Sequence, residues 1–220
     1  MGRWGVTDDR HCPVCGQVLP PAGSCPNRWC RRADRGFSVV FALGVYRGPL
    51  RRAIARYKYR GERTLAAVFA GMVSSFVGAH PGWFEEFDVI TAVPGYTGAG
   101  SRRGWDPLAC VLAELSGRLG PAWAVEPGLV LKTRETPGMT GLGWAERQNV
   151  AHRYLRPALR AAPGAALTGS RVLVLDDVLT EGSTLREVAL ALRRAGASDV
   201  AGLVLARRPW SSEPPRPEGM

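Results

Sequence analysis

Apolar residues recur along this chain with two periods, and the switches between them mark out a series of elements. Ser38–Tyr46 (SVVFALGVY), rich in β-branched and aromatic residues, predicts a strand. Pro49 opens a predicted helix to about Tyr59, with Leu50, Ile54 and Tyr57 on one face. Thr64–Ala79 reads as a second, more apolar helix, and Asp88–Val93 as a short buried strand ending at Pro94. Asp106 and Pro107 supply an N-cap and a first-turn proline for a helix with Leu108, Val111, Leu112, Leu115 and Leu119 on its core face. Gly120-Pro121 ends that helix. Arg171–Leu175 predicts a strand, Thr184–Ala195 a helix stopped at Gly196, and Val200–Ala206 a last strand. Thr184 with Glu187 fits a capping box, ahead of a buried face of Leu185, Val188, Ala189 and Leu192. This alternation implies an α/β fold, a mainly parallel Rossmann-like sheet with helices on its faces.

Two stretches break the pattern. GYTGAGSRRGW (95–105) is a Gly-rich loop carrying Arg102 and Arg103, and 133–149 is a turn-rich, charged excursion of the kind that forms a lid. The 220 residues suffice for one α/β domain with a small appendage. They divide into a cysteine segment (1–36), a basic strand–helix–helix hood (37–87), the core (88–208) and a disordered tail (209–220). No run approaches about 18 apolar residues, and the N-terminus lacks an apolar signal core, so a soluble cytoplasmic protein is expected.

Charge adds an asymmetry to this picture. Residues 1–63 hold thirteen Lys/Arg against four Asp/Glu, a net +9, whereas 64–220 hold sixteen against fifteen. A compositional preference for arginine would act on both parts alike, so the basic third points to a polyanion, either a phosphorylated ligand or nucleic acid. A solvated surface is the alternative. Within the third, Arg52, Arg56 and Arg60 recur at helical spacing beside Lys58, with Tyr46, Tyr57 and Tyr59 nearby. Such a groove could track a phosphate backbone and stack bases; the alternative places the tyrosines in the core.

Cys12, Cys15, Cys25 and Cys30 have the spacing C-x2-C-x9-C-x4-C. Two knuckles separated by a loop let four thiolates converge on one structural Zn²⁺, whose binding would supply the segment's folding free energy. A disulfide pair is the competing reading, and it needs an oxidising compartment. Cys110 reads as a core residue.

The chemistry concentrates in RVLVLDDVLTEGSTL (171–185), where an apolar strand ends in Asp176 and Asp177, followed by Thr180, Gly182, Ser183 and Thr184 opening a helix. A loop entering a helix presents free N–H groups and a positive dipole end to phosphate, and glycine lets the backbone approach closely. Adjacent carboxylates accept hydrogen bonds from hydroxyls or hold hydrated Mg²⁺. Ribose hydroxyls beside a 5′-phosphate satisfy both halves. Neither the Walker nor the dinucleotide glycine pattern is present. An acidic strand end before an ordinary capped helix is the alternative.

This stretch resembles the 5-phosphoribosyl-1-diphosphate (PRPP) loop of type I phosphoribosyltransferases. The wider chain, through the cysteine knuckle, Tyr46–Arg63, Ala92–Trp105, Lys132–Val150 and Arg171–Arg207, is similar to the competence protein F (ComF) family. The resemblance implies that Asp176 and Asp177 meet the ribose hydroxyls, directly or through Mg²⁺-bound water. It implies that the loop Val178, Leu179, Thr180, Glu181, Gly182, Ser183 and Thr184 wraps the 5′-phosphate. It places Arg102 or Arg103 at pyrophosphate, with Lys132, Arg134 and Arg147 closing from the excursion. Catalysis would be electrostatic, stabilising an oxocarbenium-like ribose. The chain departs from the family pattern at Glu181 (usually Thr), at Trp105-Asp106-Pro107 (usually Phe-Asn-Gln) and at Met139 (usually Gln). A carboxylate a few Å from a phosphate costs about 1 kcal/mol or more. His11, His80 and His152 lie outside the matched loop and offer no general base. The resemblance also implies a role in DNA uptake or single-stranded DNA handling, with protein partners in DNA uptake or replication restart. Asp176, Asp177 and Thr180 favour a glycosyltransferase acting on an unidentified base. Glu181 and the basic cysteine segment favour a binding module, the reading preferred here.

Overall fold

A computed structural model describes residues 11–20, 23–120 and 123–209. Residues 1–10 of the cysteine segment and 210–220 of the expected tail lie outside the described residues. Strands β1 (Val40–Ala42), β2 (Val89–Ala92), β3 (Ala124–Val125), β6 (Arg171–Leu179) and β7 (Asp199–Arg207) form one sheet. Their order is β1-β7-β6-β2-β3, and every pair is parallel. Between β3 and β6 in the chain, β4 (Val130–Lys132) and β5 (Leu159–Ala161) pair antiparallel as a separate ribbon. The mainly parallel α/β architecture expected from the periodicity is therefore the one adopted.

Alternation along β6 divides the core in two. Leu173 and Leu175 pack with Ile54 and Tyr57 of α1 (Gly48–Arg60), Phe69 of α2 (Leu65–Ala79), Phe84 of α3 (Pro81–Phe84) and Leu112 of α4 (Pro107–Leu119). Val172 and Val174 pack instead with Leu185, Val188 and Leu192 of α6 (Ser183–Arg194). Where α6 crosses the sheet, a Cβ on Gly202 would lie 2.6 Å from Leu185 Cδ2, so glycine permits that approach. The cysteine segment belongs to this second cluster: Cys12, Cys15, Cys25 and Trp29 are buried with Val188 and Ala189. No helix among the described residues is long and apolar enough to cross a membrane.

Several local expectations are corrected. β1 is shorter than the 38–46 run, because the chain bends at Leu43 and Gly44, although Leu43, Gly44 and Tyr46 still hydrogen-bond to β7 and Val45 bridges Arg207. β6 continues past Leu175 to Leu179, since β7 remains its partner through Val178↔Ala206 and Leu179↔Arg207. The acidic doublet is thus in the strand. Thr184 and Glu187 form no capping box. α6 starts from Gly182 in the left-handed region (φ 97°), and Glu187 is buried between Arg156 and Arg186, 2.7 Å from each. The 133–149 excursion contains a helix, α5 (Trp144–Val150), which continues as a widened π-type turn over Ala151–Leu155.

Candidate functional site

At the carboxyl end of the sheet, β6 delivers Asp176 and Asp177 into a cleft of ≈ 390 Å³. Crevices outside these strand ends are where open α/β sheets take ligands. Asp176 is buried, and its Oδ1 accepts the Asp177 N–H at 2.8 Å. Burial, reinforced by the charge of Asp177, pushes the Asp176 carboxyl up to about 7 against the opposing pull of Lys58. Asp177 lies two residues beyond Leu175, toward the α1 side, and its Oδ2 is 2.5 Å from Lys58 Nζ. Burial works to discharge Lys58, yet Asp177 outweighs it and the lysine pKa is raised. Lys58, taken with the arginine line as a nucleic-acid candidate, is therefore placed in the cleft. The Mg²⁺ expected at the doublet does not fit this arrangement, because an ammonium already stands at Asp177 Oδ2.

After the doublet the chain turns through Thr180–Gly182 into α6. The left-handed φ of Gly182 favours glycine, and a Cβ there would also press within 3.4 Å of Phe37 and Leu179. The first amides of α6 have no partners within the helix, and Gly182, Ser183 and Thr184 line the cleft. Three side chains outside the loop hold it. Arg207 Nη1 donates to the Leu179 carbonyl at 3.0 Å and to the Thr180 carbonyl. Asn27 Nδ2 donates to the Glu181 carbonyl at 2.9 Å. Gln148 Nε2 donates to Ser183 Oγ at 2.6 Å. Arg207 also reaches Cys15 Sγ at 3.7 Å, which ties the loop to the cysteine cluster.

Glu181, the departure at the phosphate turn, has its carboxylate 3.7 Å from the buried Arg147 guanidinium. Burial raises the Glu181 pKa while Arg147 opposes it. Arg147 Nε and Glu181 Oε2 are both buried without a hydrogen-bond partner, so the pair is not saturated. Arg147 thus lines the cleft beside the turn. The helix that carries it was hidden in the sequence for the same reason: Arg147 occupies one of the buried positions shared with Val150, Ala151 and Leu155.

The opposite wall is cationic. Arg102 and Arg103 are exposed on the 95–105 loop, and the half-buried Lys132 closes the wall from β4. Burial lowers the Lys132 pKa, and the neighbouring charges of Arg102 and Arg103 add to this. Arg103 lies over the Tyr59 ring, 5.5 Å from its centroid. Arg134 is exposed and does not line the cleft. Met139 lines it, accepting a 3.8 Å contact from the Thr184 hydroxyl. No histidine lines it among the described residues: His80 stacks on Trp83, 4.2 Å away, and His152 is exposed.

The four Sγ atoms of Cys12, Cys15, Cys25 and Cys30 lie within 4.8 Å of one another, and the thiols are free. Cys15 and Cys25 Sγ are 3.7 Å apart, close to the roughly 3.8 Å that tetrahedral Zn–S bonds impose. Hydrogen bonds from Cys12, Cys25 and Cys30, with the charge of Arg207, lower the Cys15 thiol pKa against the opposing effect of burial. This donor set fits a metal ion such as zinc and leaves no open position. Cys110 is half-buried, as a core-facing residue would be.

Along α1, Arg52, Arg56 and Arg60 are all exposed, with Arg56 paired to Glu62 at 2.6 Å. Tyr57 cannot stack on a base: it is buried, and its hydroxyl donates to the Pro107 carbonyl at 2.6 Å. Tyr59 is exposed, and Tyr46 lines the cleft.

Comparison with known proteins follows the same lines. A family described as "Phosphoribosyl transferase domain" matches residues 135–217. The chain is 29% identical over 206 residues to "Competence protein F" of Haemophilus influenzae, covering 90% of this chain and 84% of that protein. It is 28% identical over 219 residues to "DNA utilization protein YhgH" of Escherichia coli K12, covering 94% of this chain and 92% of that protein. Among solved structures, glutamine phosphoribosylpyrophosphate amidotransferase from B. subtilis superposes with a TM-score of 0.39 at 25% identity, over 64% of this chain and 26% of the other.

Proposed function

We propose, for a chain that belongs to the competence protein F family and carries a phosphoribosyl transferase domain, that its cleft binds a ribose 5-phosphate group of the PRPP class. In this reading the protein acts mainly as a binding module in the handling of incoming DNA. The observation that carries the reading is a single cleft lined by Asp176 and Asp177, the Thr180–Thr184 turn, and Arg102, Arg103 and Lys132. The carboxylates accept ribose hydroxyls, the amides opening α6 and the hydroxyls of Ser183 and Thr184 take the 5′-phosphate, and the cationic wall faces pyrophosphate. Arg147, buried with Nε unpartnered, offsets the charge that Glu181 brings to the phosphate turn. The cysteine cluster holds a structural zinc. The exposed arginines of α1, with Tyr59 beside the cleft, serve single-stranded DNA, and protein partners of DNA uptake or replication restart complete the role.

A binding role is favoured over turnover because Glu181 adds a carboxylate to the phosphate turn and engages Arg147 there. The Lys132, Arg102 and Arg103 wall is the observation that favours the alternative, a PRPP-dependent transferase. There these cations would stabilise the departing pyrophosphate electrostatically.

One comparison tests the proposal. Calorimetry should detect PRPP binding that Asp177→Asn abolishes, while single-stranded oligonucleotide binding survives that change. Replacing both Arg52 and Arg60 by Ala should leave PRPP binding intact and reduce the salt slope of oligonucleotide binding by about 1.4. Absence of heat with millimolar PRPP would remove the ligand assignment, and an unchanged salt slope would remove the α1 surface.

A further inference from the structure

The chain carries 27 arginines and two lysines, and one of those lysines is placed on the acidic doublet. Tyr57 anchors α1 in the core above the sheet, so the next residue, Lys58, is brought down to the cleft end of β6. Its Nζ stands 2.5 Å from Asp177 Oδ2, with side-chain exposures of 22% and 14%. An ammonium is a compact charge with three rotatable donors. One is spent on Asp177, leaving two for other acceptors. A guanidinium would instead lock its fork onto the carboxylate. A divalent ion on the same oxygen would stand against this ammonium, and each positive charge disfavours the other there.

We propose that Lys58 takes the place of a divalent cation, holding the ribose hydroxyls between its ammonium and the doublet, so that the cleft binds a sugar phosphate without Mg²⁺. This rests on the ribose-phosphate reading of the cleft. Lys58 is then a ligand-binding residue and Asp177 its anchor.

Ribose 5-phosphate, which lacks the metal-chelating pyrophosphate, is the probe. It is titrated by calorimetry into zinc-loaded full-length protein in divalent-free buffer, and again with excess Mg²⁺. The wild type should show the same affinity in both, within about twofold. Lys58→Met should lose about tenfold or more without Mg²⁺, the scale of losing a charge-assisted hydrogen bond, and recover with it. Lys58→Arg, whose fork closes on the Asp177 carboxylate while keeping the positive charge, should weaken binding with and without Mg²⁺ alike. Wild-type binding that requires Mg²⁺ overturns the lysine proposal and leaves the cleft reading intact. Equal or tighter Mg²⁺-free binding by Lys58→Met overturns it too, making the lysine a bystander or a plug. Absence of binding in every medium overturns the cleft reading and the proposal with it. Electron paramagnetic resonance of Mn²⁺ supplies a readout independent of the sugar. The wild type should hold no Mn²⁺ at the doublet, and a wild-type Mn²⁺ signal that Asp177→Asn removes would contradict the proposal.

Discussion

Asp176 and Asp177 are adjacent in the chain yet meet different surroundings, because neighbouring strand residues face opposite ways. Asp177 turns to Lys58, whereas Asp176 is buried with its carboxyl pushed up to about 7. A carboxyl that holds its proton more tightly when folded contributes stability fully present below about pH 4. That contribution is lost as pH rises through 7, by at most about 4 kcal/mol. Asp176→Asn keeps the Oδ1 acceptor for the Asp177 N–H while removing the titration. Urea denaturation should therefore show a flatter stability profile between pH 4 and 8 for the variant, with its largest gain over the wild type at pH 8. A wild-type profile that rises over this range would contradict the burial of Asp176. The doublet itself was legible from residue types alone. The partners of these residues were not. Lys58 was grouped with arginines that face solvent although it stands two residues from Arg56 and Arg60 on another face of α1, and Glu187 has the spacing of a cap while lying buried between two arginines.

Among elements, long periodic ones were readable: α1, α2, α4 and α6 fall within a residue or two of the pattern that announces them. α5 was not, because a buried arginine interrupts its apolar face, and β4 and β5 are too short to register. The ties between elements were equally silent in the sequence. Asn27 beside the cysteine cluster and Arg207 at the end of β7 both grip the turn that opens α6. An arginine closing a wholly buried strand is a signal that could have found the second, since such a charge must have partners. Asn27 has no comparable mark, being separated from its partner by 154 positions. Asn27→Ala should leave zinc content unchanged and weaken ribose 5-phosphate binding by about fivefold, the worth of one hydrogen bond of about 1 kcal/mol. Calorimetry together with metal analysis checks both halves. Unaltered affinity would mean that the turn keeps its shape without the cysteine segment.

The whole molecule joins a basic N-terminal third to a nearly neutral remainder through shared packing rather than a linker. Cys12, Cys15 and Cys25 are buried against the face of the sheet that carries α6, and α1 covers the other face. Segment charge and cysteine spacing pointed to both features, but only packing brings the cysteine cluster and the phosphate turn within reach of Arg207. In the proposed role, a polyanion on the α1 surface and a sugar phosphate in the cleft would meet the two faces of one packed sheet. The turn following β6, as a phosphate cradle, joins the doublet to the cationic wall in that role. The most direct measurement is amide nuclear magnetic resonance of the labelled protein during titration with ribose 5-phosphate. Saturable shifts should centre on the N–H groups of Glu181, Gly182, Ser183 and Thr184, with smaller changes at Asp177 and Lys58. Shifts that fall elsewhere, or none at saturating ligand, would contradict the account.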